Sequence, residues 1–207
     1  MTFILIKVFN YGLNTKKGLF VIFLLFNFNL GYCQESNYGI DYLTSKKEIN
    51  GVVDSMYIKY FPGTKQKMIE NHFKDGKLNG KSKYWYKNGQ LEQIVNYKNG
   101  VVSGLYRAYW ENGSIKQESN WINGIQSGKT EFWYSNGKKE QEYIVKNGVK
   151  IGEALFYFEN GKLKSCGVFI NDQKNGEWKY YNIFGKLIEI ITYDKDSIVN
   201  SIDFTLK

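Results

Sequence analysis

Short runs of alternating apolar and polar residues, separated by glycine-containing turns, recur along most of the chain. Residues 84–86 and 91–97 are rich in aromatic and β-branched side chains, and Lys87-Asn88-Gly89-Gln90 separates the two runs. A second turn, Lys98-Asn99-Gly100, follows them. Short alternating runs bounded by such turns are typical of β-strands, and no 3.6-residue period is sustained that would favour a helix. The pattern therefore predicts pairs of strands joined by tight turns.

The turn glycines fall into three columns, and within each column successive positions are 24 residues apart. The first column holds Gly89, Gly113, Gly137, Gly161 and Gly185. The second holds Gly100, Gly124 and Gly148, with Asp172 in the next place, and the third holds Gly80, Gly104, Gly128, Gly152 and Gly176. A fixed period of this length indicates a repeat protein. We predict an all-β fold: an elongated single-layer antiparallel sheet of about six consecutive 24-residue β-hairpin units.

The turns are expected to set the geometry of the hairpins. Asn-Gly is the favoured pair for a type I′ turn, in which both central residues have a positive φ. The predicted structural turn residues are Gly89, Gly100, Gly113, Gly124, Gly137, Gly148 and Gly161.

Alternation along the strands assigns side chains to the two faces of the sheet. One face receives the aromatic row Trp85, Tyr109, Trp133, Tyr157 and Tyr181, and the other receives Tyr84, Phe132, Phe156 and Tyr180. In the second strand, simple alternation places Leu91 with Gln93 and Tyr97, opposite the column Glu92, Lys116, Glu140 and Lys164. The row from Trp85 to Tyr181 is the candidate partner-binding row, because indole and phenol groups suit wet, amphipathic contacts. The alternative is that stacked aromatic side chains only stabilise cross-strand pairs.

The N-terminus reads as an export signal. Lys16 and Lys17 precede an apolar run over residues 18–30, and small residues, Gly31 and Cys33, occupy positions −3 and −1 if cleavage follows Cys33. We predict a signal peptide over 1–33, a cap or linker over 34–50, the repeat array over 51–200 and a tail over 201–207. The protein is then periplasmic, cell-surface or secreted. Lipidation of Cys33 is the alternative, although Tyr32 is bulky for a lipoprotein box.

Composition narrows the chemistry. Lys and Arg number 28 against 20 Asp and Glu, and these charges are scattered, so no nucleic-acid partner is expected. His72 is the single histidine and Cys166 is the single cysteine beyond Cys33, which argues against a histidine triad or a thiolate zinc site. Glu118 and Glu142 share a repeat column and are interpreted as solvated charges rather than an acid–base pair. We predict no enzyme activity, no cofactor and no metal.

The pattern Tyr84-Trp85-Tyr86-x-Asn88-Gly89-x-Leu91 recurs at 109–113 and 156–161 and resembles the MORN-repeat variant found in bacterial proteins. Many such proteins are similar to the YwqK-type antitoxin family. The resemblance implies a sheet of hairpins, no catalysis, and association with protein or membrane. Eukaryotic MORN units usually carry Gly-x-Gly after the second turn. Here the second glycine is replaced by Tyr106, Thr130, Ala154 and Trp178, so phosphoinositide binding is not expected.

The sequence thus favours a non-catalytic exported repeat protein that acts as a protein-interaction or scaffold module at the cell envelope. Another protein is the expected partner, and a cell-wall glycan or a membrane surface is the alternative. A glycan-binding array and an antitoxin or immunity-like protein that neutralises a partner toxin are the other hypotheses.

Overall fold

The computed structural model describes residues 42–49 and 51–205, and within these ranges every regular element is a β-strand. The predicted signal peptide and Cys33 lie outside the described residues. The described part of the chain contains no helix with the length and apolarity needed to cross a membrane.

Within these ranges sixteen strands form one sheet, in which every pairing is antiparallel and joins strands that are next, or next but one, in chain order. They are β1 (Tyr42–Ile49), β2 (Val52–Tyr60), β3 (Lys67–Lys74), β4 (Lys77–Leu78), β5 (Gly80–Trp85), β6 (Leu91–Lys98), β7 (Val101–Val102), β8 (Gly104–Tyr109), β9 (Ile115–Ile122), β10 (Ile125–Trp133), β11 (Lys139–Lys146), β12 (Val149–Tyr157), β13 (Leu163–Ile170), β14 (Gln173–Tyr181), β15 (Leu187–Asp194) and β16 (Ser197–Asp203). The short strands β4 and β7 pair with β3 and β6, just before the breaks at Asn79 and Ser103. The predicted all-β sheet of consecutive antiparallel hairpins is confirmed.

The two turns of each repeat differ in geometry. In the second turn, Asn99 and Gly100 have φ values of 51° and 84°, which is the predicted type I′ arrangement. In the first turn, Gly89 alone has a positive φ, of 91°, and its amide donates to the Tyr86 carbonyl at 3.0 Å. The Asn88 carboxamide oxygen accepts the Gln90 amide at 2.9 Å, which holds a type I turn that ends in a left-handed glycine. The type I′ prediction is therefore wrong for the first turn.

A β-bulge follows each first turn and changes which face the next residues occupy. Trp85 pairs with Leu91, but Tyr84 pairs with Gln93, so Glu92 is an extra residue without a partner. An extra residue reverses the alternation that follows it. Leu91 consequently lies on the Trp85 face and Gln93 on the Tyr84 face, and the prediction that Leu91 shares a face with Gln93 and Tyr97 is wrong.

The inner face, as we call it, carries the most deeply buried side chains near its midline. This midline row, in which every member is less than 2% exposed, is Ser82, Ser119, Thr130, Ala154 and Trp178. Four of these residues, Ser82, Thr130, Ala154 and Trp178, occupy the place of the missing second glycine of eukaryotic MORN units. The departure noted in the sequence therefore has a structural role, because these side chains fill the inner face.

Large and small residues face each other across this row. Tyr106 pairs with Ser119, and Tyr143 pairs with Thr130. Trp178 lies over Gly167, where an added Cβ would stand 2.3 Å from the indole. Such cross-strand fits supply much of the packing of a single sheet.

The sheet has two edge strands, β1 and β16. β1 lies in the segment predicted as a cap, 34–50, and every residue of β16 is exposed. The capping role of residues 34–50, and the domain limits, stay predictions.

Candidate interaction surfaces

A ladder of hydrogen bonds along the first-turn edge joins each repeat to the next. Tyr86 Oη donates to the Tyr109 carbonyl at 2.8 Å, and Tyr134 Oη donates to the Tyr157 carbonyl at 2.7 Å. Between them, Trp110 Nε1 donates to the Trp133 carbonyl at 2.8 Å. The turn asparagines add a second ladder, in which the side chains of Asn88, Asn112, Asn136 and Asn160 each donate to a carbonyl 23 residues further on. The edge is thus fixed by side chain to backbone bonds that recur with the repeat.

The predicted aromatic row, Trp85, Tyr109, Trp133, Tyr157 and Tyr181, lies on the opposite face, which we call the outer face, and all five members are half-buried. The structure brings them together as a row, but internal partners occupy several of their rings and polar ends. Lys67 Nζ lies 5.6 Å from the Trp85 ring centre, and Tyr157 Oη donates to Glu142 at 3.0 Å. Burial, and then the nearby Glu142, raises the pKa of Tyr157. The partner-binding role of this row stays a prediction.

An ionic network occupies the outer face beside this row. The Glu142 carboxylate lies 2.6 Å from Lys129 Nζ and 2.9 Å from Lys139 Nζ, and its side chain is 15% exposed. Burial raises the pKa of Glu142, but hydrogen bonds from the two lysines and from Tyr157 outweigh it and lower the pKa to about 2. The interpretation of Glu142 as a solvated charge is therefore wrong, because its carboxylate is largely buried and contacts Lys129, Lys139 and the Tyr157 hydroxyl.

Two further ion pairs continue the same pattern. Arg107 Nε lies 2.5 Å from the Glu118 carboxylate. Glu70 is 8% exposed and lies 2.8 Å from Lys67 Nζ. Burial raises the pKa of Glu70, but hydrogen bonds from Lys67 and His72 outweigh it and lower that pKa, whereas a general acid at neutral pH needs a raised pKa. Their chemistry is that of structural ion pairs.

Exposed aliphatic side chains gather on the outer face near the second turns. This outer aliphatic stripe is Val101, Leu105, Ile122, Ile125, Ile144, Val168 and Ile170, with 38–60% of each residue exposed. Ile122 and Ile125 pair across a type I′ turn, and Val101 packs beside Gly124 of that turn. The sequence reasoning missed this stripe. Residues that flank a turn are usually polar, but Ile122 and Ile125 flank Asn123-Gly124. This departure could have indicated the stripe from the sequence.

A family model for the MORN repeat variant matches residues 78–99, 103–123, 126–147, 150–171 and 174–195, which together are just over half of the chain. The chain belongs to the MORN repeat variant family. MORN repeat proteins are generally non-catalytic binding modules. No curated protein sequence matches this chain at a significant level. The bacterial origin and the antitoxin assignment stay predictions.

Two grooves lie on the inner face along the first-turn edge of the described MORN repeats. One, of about 310 Å³, is bordered by Tyr134, Glu140, Lys164 and Trp178. The other, of about 420 Å³, is bordered by Tyr86, Trp110 and Lys116. Both grooves therefore combine aromatic rings with charged side chains from adjacent repeats.

Candidate metal ligands are dispersed among these MORN repeats. Within residues 42–49 and 51–205, three or more His, Cys, Asp or Glu side chains nowhere come together in a group that could hold a metal ion. Cys166 is a free, half-buried thiol.

Proposed function

We propose that this protein is an exported, non-catalytic scaffold that binds another protein through the outer aliphatic stripe. The observation that supports this function is the exposure of seven aliphatic side chains on one face of consecutive MORN repeats. Contiguous exposed apolar surface is costly in water and marks interaction sites in soluble proteins. The sheet also presents the stripe on paired strands, so little conformational entropy is lost when a partner binds.

Charges beside the stripe indicate the chemistry of the partner. Lys98 pairs with Val101, and Lys146 pairs with Val149, and both lysines are exposed at the ends of strands that border the stripe. An aliphatic surface next to lysines fits a protein segment that combines aliphatic and acidic side chains. A lipid surface fits less well, because the stripe contains none of the Trp and Tyr side chains that typically anchor proteins at membrane interfaces.

Binding of a glycan has weaker support. Sugar binding by stacking requires an accessible ring face. In the groove beside Lys164, however, Trp178 is only 1% exposed and Lys174 Nζ lies 4.5 Å from its ring centre. The ring that would offer the largest stacking surface there is occupied by the protein itself.

Capture from envelope extracts tests the proposal with a matched pair of variants. Ile125 lies in the stripe and Ile183 lies at a first turn outside it, and both are 51% exposed. We expect the full-length protein and Ile183→Asp to retain the same acidic protein, identified by mass spectrometry. Ile125→Asp should weaken its binding at least tenfold, because it adds a like charge in the middle of the apolar surface. The dissociation constant of each variant with the purified partner then measures the fold-change in affinity.

Three results would contradict the proposal. Equal loss with both variants would show that the stripe is not the binding surface. The protein could instead pellet with anionic vesicles or with cell-wall polymer, and Ile125→Asp alone could abolish this pelleting. That result would show that the stripe binds a membrane or a glycan rather than a protein. Finally, export predicts that the protein recovered from cells begins at Gln34, so an uncleaved cytosolic chain would remove the envelope role.

A further inference from the structure

A second surface, on the inner face at the first-turn edge, carries charges that alternate from one repeat to the next. The turn-side charge row, as we call it, is Glu92, Lys116, Glu140 and Lys164. Successive members are two strands apart, or about 10 Å, so the row is about 30 Å long. Its signs run minus, plus, minus, plus over four consecutive repeats.

The neighbouring aromatic residues alternate in step with these charges. Lys116 Nζ lies 4.5 Å from the Trp110 ring centre, and Lys164 Nζ lies 5.8 Å from that of Phe158. The two glutamates instead lie beside the phenols of Tyr86 and Tyr134. Burial, followed by the charges of Glu92 and Glu140 respectively, raises the pKa of these two phenols. The rings of Trp110 and Phe158 therefore hold the two lysines at defined places.

The four charges have no ionic partner within the described part of the chain. The ion pairs found there, all within 4.0 Å, involve other side chains. Glu92, Lys116 and Lys164 are exposed, and Glu140 is half-exposed. A separation of about 10 Å is close to the Debye length in physiological salt, so neighbours in the row attract each other only weakly. The row is free to pair with an external set of charges.

We propose that the turn-side charge row is the contact between two copies of this protein, related by a two-fold axis parallel to the strands. Such an axis reverses the order of the row in the second copy. Glu92 then faces Lys164 of the second copy and Lys116 faces its Glu140, which makes four favourable pairs. The parallel arrangement would place like charges opposite each other, so the alternation itself selects the antiparallel dimer.

This dimer goes beyond the proposed function, since it leaves the outer aliphatic stripe free on both copies. Face-to-face packing of two sheets of the same twist keeps their strands nearly aligned, which this axis allows. A strip about 30 Å long covers less than the roughly 800 Å² per partner of a standard interface. The dimer should therefore be weak and salt-sensitive.

Charge exchanges of identical composition test the arrangement. Exchange within a pair, E92K/K164E, keeps every facing pair complementary, whereas exchange between neighbours, E92K/K116E, places like charges opposite each other. Sedimentation equilibrium of the processed protein, purified from the cells that export it, measures the dimer dissociation constant. We expect the constants of wild type and E92K/K164E to agree within about threefold. E92K/K116E should dimerise at least tenfold more weakly. Wild type should dissociate in 0.5–1 M salt, where the screening length falls to about 3–4 Å.

A mixture provides the control for folding. E140K/K164E is also self-repelling, but its row is complementary to that of E92K/K116E. Each variant should be monomeric alone, and the two together should form a heterodimer. A wild type that stays monomeric at the highest attainable concentration would overturn the proposal. Equal dimerisation of both exchange variants, or no association in the mixture, would also overturn it.

Discussion

The central MORN repeats, 103–147, and the C-terminal ones, 150–195, share a backbone but fill it with different side chains. Thr130 lies on the midline of the inner face in the central repeats, and Ala154 and Trp178 hold the equivalent places further on. On the outer face, the ion-paired Glu131 and Glu142 are replaced 24 residues later by Leu155 and Cys166.

This difference shows that the turns set the register of the strands, whereas the side-chain rows between the turns set how the repeats pack. Both regions keep the type I and type I′ turns and the bulge, so the register is the same in each. The rows between the turns can then be polar or apolar, provided that each facing set is complementary. The stability of the central repeats should therefore depend on pH, and the stability of the C-terminal repeats should depend on how well their side chains fit together.

The largest expected effect tests shape in the C-terminal repeats. Gly167→Ala places a Cβ within the Trp178 indole and should destabilise the protein by about 3 kcal/mol, measured by urea unfolding. In a Trp178→Leu background the same change should cost much less, because the smaller side chain leaves room. An equal cost in both backgrounds would show that the two residues do not compete for this space.

The next effect tests charge in the central repeats. The pKa of Glu142 is about 2 in the folded protein against 4.5 for an ordinary glutamate, so its contribution is complete above pH 4.5 and is lost as the pH falls towards 2. Because Lys129 is half-exposed, we expect a loss of about 1–2 kcal/mol. Hydrogen-exchange protection factors should therefore fall in β10 and β11 between pH 5 and pH 2.5, relative to those in β13–β15.

Glu142→Gln is the control for this measurement. It removes the titrating group, so the difference between the two regions should become smaller over the same pH range. If the difference keeps its full size in the variant, other groups cause the acid sensitivity of the central repeats.

The smallest effect concerns the ladder at the first-turn edge. Tyr134→Phe removes the bond to the Tyr157 carbonyl and should cost about 1 kcal/mol. Phe158 occupies the next place in the row and has no donor, so Phe158→Tyr should stabilise the C-terminal repeats by a similar amount. Thermal unfolding of the two variants provides the measurement, and shifts of the same sign would contradict the ladder.

The repeat period was readable from the sequence because turns impose strict local requirements. Glycine at each turn position reports a positive φ, and this predicted the hairpins correctly. The bulge at Glu92 was not readable, since a bulge depends on how the first turn meets the ladder. One extra residue was enough to misplace Leu91.

The sites were less predictable than the fold for a related reason. Gly167 lies outside the three glycine columns, and its role depends on Trp178 in the neighbouring strand. The burial of Glu142 likewise depends on Lys129, thirteen positions earlier in the sequence. The sequence correctly placed the aromatic row on one face. It does not show which of these rings are contacted by other side chains of the protein, because those contacts depend on neighbouring strands.

The ladder of asparagine side chains also bears on how such a protein changes over evolutionary time. Each bond spans 23 residues and ends in the next unit, so no unit depends on one two places away for these contacts. A duplication or deletion of 24 codons would rejoin the chain in the same register, with donors and acceptors matched at the new junction. The array can thus gain or lose whole units during evolution. Insertion or deletion of one codon within a strand would instead shift the strand register.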